Sequence, residues 1–182
     1  MIYISVEGGT KKQRQLCEDA IRHFIFLMLP RRRSLNIDCK IHNLLIDDMA
    51  GLCEHVQGNE FLLELHHRGT LYDFVSYIAH EIIHVKQYLE KELVHRNQKD
   101  YWKGHNFTET QYYAQPWEVE AWEMQHFYAK DFIRNKLNTT IKQCKLISPR
   151  TFKLMDWRVE HDSICRIIER QEARKKCKKK SS

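Results

Sequence analysis

The run His80-Glu81-Ile82-Ile83-His84 constrains this chain more than any other stretch of it. Two histidines at i and i+4 rise from one helix face, close enough to share a Zn²⁺, and the glutamate beside the first can reach a water on that metal. The surrounding sequence predicts the helix that the spacing needs, from about Thr70 to Val94. At 100° per residue, Leu71, Val75, Ile78, Ile82, Val85, Leu89 and Leu93 form one narrow apolar stripe. His80 and His84 lie on the opposite side, in a sector shared with Asp73, Tyr77 and Gln87. The helix therefore has a core face and a polar face rich in metal-capable groups.

Two histidines leave a third ligand to be found. In the long form H-E-x-x-H-x-x-G-x-x-H a glycine breaks the helix and a histidine follows, but here Gln87 and Glu90 occupy those places, which excludes a metzincin. Downstream, Gln115-Pro116-Trp117-Glu118-Val119-Glu120-Ala121-Trp122 opens a second helix, about Pro116 to Leu137. Pro116 suits its first position, and Glu118 falls in the first turn, where the helix dipole favours a carboxylate. The helical wheel puts Glu118 with Ala121, Trp122, Gln125, Ala129 and Phe132, and Glu120 with Glu123, Phe127 and Asp131. Glu118 is thus the inward-facing candidate and Glu120 its rival. A carboxylate on an apolar face needs a partner such as a metal.

The remaining elements are read from pattern. Ile2 to Val6 predicts a short strand, and Lys11 to Leu29 a helix ended by Pro30. Leu35 to Ile41, Leu52 to Val56 and Glu60 to Leu65 predict strands, the last two joined by the turn-like Gln57-Gly58-Asn59. A polar, aromatic connection holding Trp102, Gly104, Tyr112 and Tyr113 separates the two central helices. A final amphipathic helix, about Thr151 to Glu172, runs into a lysine-rich end. The expected class is α+β: a small, mainly antiparallel sheet packed on an N-terminal helix and the metal helix, followed by further helices. Residues 1–148 would form one domain, 149–173 a helix packed on or flanking it, and 174–182 a disordered basic tail.

Charge and cysteine usage narrow the partners. The formal charge is +6, but Arg174, Lys175, Lys176, Lys178, Lys179 and Lys180 carry much of the excess. The near-neutral body argues against a surface built for phosphates, leaving weak, salt-sensitive nucleic-acid contact through the tail. Six cysteines without any C-x-x-C pair exclude a zinc ribbon or a thioredoxin-like motif. The apolar stretch Phe24 to Leu29 is too short to span a membrane, and no signal-like segment opens the sequence. The expectation is the cytoplasm, with free thiols and no membrane association.

The motifs HEIIHVKQYL, YWKG and PWEVEA, with a tyrosine-rich stretch between the last two, resemble those of small gluzincin-like metallopeptidases of bacteriophages and bacteria. The similarity spans about Phe61 to Met124. It implies a minimal zincin fold with His80, His84 and Glu118 as zinc ligands and Glu81 as general base, in the host cytoplasm where phage-encoded. The substrate would be a protein or peptide. Related gluzincins often carry an aspartate four residues after the ligand glutamate, where this chain has Trp122. A second likeness is weaker: Gly104-His105-Asn106-Phe107 resembles the Gly-His segment of SprT-like, DNA-associated proteases, which would make His105 the third ligand. A non-catalytic zincin-like binding module is the other alternative. In the catalytic reading Tyr112, Tyr113 or His105 could steady the developing oxyanion, and the strand Glu60 to Leu65 would bind extended substrate by strand addition.

Overall fold

In the computed structural model, which describes residues 1–42, 50–67 and 69–137, the helix that carries the H-E-x-x-H run is the hub around which the other elements pack. Strand β1 (Ile2–Gly8) leads into helix α1 (Lys11–Met28), and β2 (Leu35–His42), β3 (Gly51–Gln57) and β4 (Glu60–His66) follow. Helix α2 (Leu71–Leu89) carries the H-E-x-x-H run. Three short strands come next, β5 (Leu93–Arg96), β6 (Lys99–Trp102) and β7 (His105–Asn106), and then helix α3 (Pro116–Asn135). The class is α+β. The expected helix within 149–173 and the tail at 174–182 lie outside the described residues.

The main sheet has the order β1-β2-β4-β3. Only its β3–β4 pairing is antiparallel; β1 with β2 and β2 with β4 run parallel, so the sheet is mixed. Between β1 and β2 the 18 residues of α1 carry the chain back across the sheet, as parallel neighbours require, whereas β4 runs parallel to β2 because the chain first passes through β3, which is antiparallel to β4. Alternation along β2 buries Leu35, Ile37, Cys39 and Ile41 and exposes Asp38, Lys40 and His42. With Ile4, Phe61, Leu63 and Leu65 these residues meet the buried faces of α1 and α2 in one core.

Capping boxes start both helices: Thr10 with Gln13 for α1, and Thr70 with Asp73 for α2. Helix α2 stops at Leu89 rather than running to Val94. Lys91 turns left-handed at φ 59° and its N–H donates to the Tyr88 carbonyl, while that of Glu92 donates to Gln87. Leu93, counted on the helical stripe, instead enters β5 and packs with Trp102, Phe107, Trp117 and Val119 in a second small core. The polar, aromatic connection between the two central helices thus holds an antiparallel sheet, β5-β6-β7. Its turns place Asn97, Gln98, Lys103 and Gly104 at positive φ, the geometry of tight hairpins.

Helix α3 lies along α2, and the fully buried Ala121 and Ala129 let the two approach closely. Among the described residues no helix is long and apolar enough to cross a membrane. Cys17, Cys39 and Cys53 are free thiols.

Candidate metal centre

Helix α2 is buried on both sides. Its apolar stripe faces the sheet, while His80, Glu81 and His84, each at most 6 % exposed, face α3 and β3. Helix α3 supplies the third group. Pro116 begins it, and Glu118 in its first turn is 6 % exposed and aims at the histidines. The Nε2 atoms of His80 and His84 stand 3.1 Å apart. Oε2 of Glu118 is 3.2 Å from the first and Oε1 is 3.4 Å from the second. A tetrahedral ion with bonds of about 2.0–2.1 Å sets its ligand atoms about 3.3 Å apart, the size of the separations found here, with a different Glu118 oxygen nearest each histidine. Among the described residues they form the one group of histidine, cysteine and acidic side chains able to hold a metal ion, with ligand atoms all within 4.8 Å of one another.

Electrostatics point the same way. Burial works against a charged His84, yet the Glu118 carboxylate beside it, helped by Glu81 and Gln87, holds its pKa up at about 9. Burial likewise opposes an ionised Glu118, but His80 and His84 keep its carboxyl far below the usual range. The meeting point of the three ligand atoms therefore favours positive charge. Burial pushes the Glu81 carboxyl upward, and the neighbouring histidines pull it back only in part. A carboxylate so raised is suited to accept a proton.

The other sequence candidates fall into place around this centre. Glu120 does not join the ligands: its Oε2 accepts from Gln87 Nε2 at 2.8 Å, and its Oε1 lies 3.8 Å from Lys103 Nζ. His105 sits on β7 and is not one of the clustered groups. Trp122 sets its ring edge to face with His80 at 5.1 Å, so an aromatic contact stands where an aspartate would orient the histidine. His95 pairs with Asp100, and His126 is bonded to the Tyr72 hydroxyl. Among the three candidate oxyanion donors, Tyr112 lines the cleft. Burial and the neighbouring Glu118, with which its hydroxyl interacts, push its pKa far upward.

A cleft of about 90 Å³ opens onto His80, His84 and Glu118, walled by Gly51, Cys53, Tyr88, Leu93, Tyr112 and Trp117. The strand at this cleft is β3, not β4. Strand β4 lies between β2 and β3 with both edges paired, whereas β3 is an edge strand among the described residues, so the expectation that Glu60 to Leu65 takes substrate is corrected. The His66 N–H donates to the Ala50 carbonyl at 2.9 Å. By alternation Leu52 and Glu54 also turn their peptide groups to β4, and Gly51 and Cys53 turn theirs to the free edge above the cleft.

Two contributors, Gly51 and Gln87, owe their roles to tertiary packing. Gly51 carried no motif, and its role comes only from tertiary contact with Glu81. Gln87 was placed in the histidine sector, but its bonds to α3 depend on how the helices pack. Comparison with known proteins finds no match: no protein-family model, curated protein or solved structure matches this chain.

Proposed function

We propose that this protein is a zinc-dependent peptidase, and the observation that carries the reading is the convergence of His80, His84 and Glu118 beside the buried carboxylate of Glu81. Two imidazoles and one carboxylate are a donor set that catalytic zinc sites use, and His80, His84 and Glu118 would hold the ion. Bound there, zinc supplies Lewis acidity toward a peptide carbonyl and lowers the pKa of a water toward neutrality. Glu81 takes the proton of the attacking water and hands it to the departing amine. The Tyr112 hydroxyl, at the rim beside Glu118, donates to the developing oxyanion. The free edge of β3 receives an extended peptide through the backbones of Gly51 and Cys53, which makes protein or peptide the substrate class.

A structural metal site has no use for a proton acceptor at position 81, and this separates catalysis from a zincin-like binding module. The test is Glu81→Gln, assayed for bound zinc and for hydrolysis of an unfolded protein substrate. The variant is expected to keep its zinc and lose about 10²–10⁴-fold in turnover. Wild-type protein that binds zinc and cleaves nothing supports the binding module instead; wild-type protein that takes up no zinc removes both readings.

A further inference from the structure

We infer that Gln87 and Glu120 form a positioning pair that dictates which nitrogen of His84 is presented to the metal. The inference rests on the metal reading of the His80, His84 and Glu118 cluster and adds to it two residues that touch neither ion nor substrate.

Gln87 is fully buried, so each polar atom of its side chain must find a partner inside the protein. Its Nε2 has two: the Trp117 carbonyl at 3.0 Å and Glu120 Oε2 at 2.8 Å. Both are acceptors only, so together they use both N–H groups of the amide. Turning the amide over would set Oε1 against a carbonyl and a carboxylate, losing two hydrogen bonds and creating two acceptor–acceptor contacts. Oε1 is therefore held facing His84 Nδ1, 2.8 Å away.

That contact decides the tautomer. An amide oxygen only accepts, so Nδ1 of His84 carries the proton, and in the neutral ring the lone pair belongs to Nε2. Nε2 is the atom facing His80 and Glu118. The first turn of α3 thus acts twice: Glu118 enters the cluster, while Trp117 and Glu120 on either side fix a histidine of the opposite helix through Gln87. Glu120 is braced from outside by Lys103. The ring of His80 has no comparable brace: its Nδ1 is buried without a hydrogen-bond partner among the described residues, and its orientation comes from the Trp122 edge contact.

The test is a double-mutant cycle of Gln87→Leu and Glu120→Gln, read as zinc affinity by competition with a chromogenic chelator. Gln87→Leu is expected to weaken zinc binding about 10–100-fold, and Glu120→Gln by less, because the Trp117 carbonyl still orients the amide. Since Glu120 acts through Gln87, Glu120→Gln should add nothing in the Gln87→Leu background. Nitrogen-15 spectra of zinc-loaded protein supply the second readout. His84 Nδ1–H should exchange slowly with solvent in the wild type and in Glu120→Gln, and quickly in Gln87→Leu. Should Gln87→Leu not fold, the zinc affinity of Glu120→Gln, expected to fall, and the protonated nitrogen of His84 in the wild-type spectrum still decide, and an unchanged affinity overturns the inference. Unchanged zinc affinity in a folded Gln87→Leu, additive effects in the cycle, or a His84 protonated at Nε2 would each overturn the inference alone. Wild-type protein that takes up no zinc would overturn the metal reading and this inference with it.

Discussion

The backbone of Gly51 lies directly against the carboxylate of Glu81. A Cβ at position 51 would fall 2.8 Å from Cδ of Glu81 and 3.0 Å from its Cγ, with Oε1 nearer still. The φ of Gly51 lies outside the left-handed region, so glycine is needed here for space and not for conformation. The obstructed atoms are the mobile end of a side chain, and an added methyl displaces the carboxylate at little cost to the fold. Gly51→Ala should therefore retain zinc and melting temperature while kcat falls about 10²-fold, the usual effect of a misplacement near 1 Å. Kinetics beside a thermal melt check this; a variant with normal turnover would show that the position of Glu81 is immaterial.

Tyr112 and Tyr113 are adjacent, with rings edge to face at 5.3 Å, but only Tyr112 lines the cleft. Tyr112→Phe removes the hydroxyl that reaches Glu118 and keeps the ring. It should lower kcat by about 10²-fold with KM nearly unchanged, as expected for a donor used chiefly in the transition state. Tyr113→Phe should leave both constants within twofold. Equal losses in the two variants would point to packing of the tyrosine pair instead.

The small sheet is tied to α2 by charge. Glu92 lies 3.1 Å from Lys86 and 3.2 Å from Lys103. Burial alone would raise its carboxyl, but the two lysines outweigh burial and hold it below 4.5. A carboxyl depressed in the folded state contributes stability above its unfolded pKa and loses it as pH falls through the folded value. The melting-temperature gap between wild type and Glu92→Gln should be constant above about pH 6, shrink below about pH 4.5 and close in stronger acid. It should also narrow with added salt. A gap that widens in acid would contradict the pairing.

What could be read from residues alone follows the range of the interactions involved. The i, i+4 histidines, the Pro116 start and the inward Glu118 are local signals, and the structure brings His80, His84 and Glu118 together. The β3–β4 hairpin was legible in Gln57-Gly58-Asn59 for the same reason. Parallel pairing of β1 with β2 was not, because periodicity within a strand says nothing about the direction of its neighbour. The end of α2 was obscured by Glu90, Lys91 and Glu92, which favour helix until the packing of Leu93 against Trp102 and Trp117 overrides them. The carboxylates of Glu118 and Glu120 look alike in sequence, and the wheel separates them. That Glu120 is bonded to a glutamine on α2, 33 residues away in sequence, depends on how the two helices cross.

Removing the metal should loosen one helix contact without dissolving the fold. His80 and His84 stand on α2 and Glu118 on α3, so an ion held at their meeting point would clamp the pair. The same helices are also joined by apolar packing that includes Ala121, Ala129 and Phe132, which owes nothing to a metal. Chelation should thus leave the helical circular dichroism in place at 25 °C and lower the melting temperature. Melting should rise with free zinc, because a ligand held at 100 times its Kd adds about 2.7 kcal/mol. Amide exchange should quicken first around residues 116–120, where α3 loses its tie to α2, and least in the core strands β2 and β4. A melting temperature indifferent to chelator and zinc would mean that no ion bridges the helices. Complete unfolding on chelation would make the ion a folding nucleus, as in zinc fingers, and the apolar contact between α2 and α3 insufficient by itself.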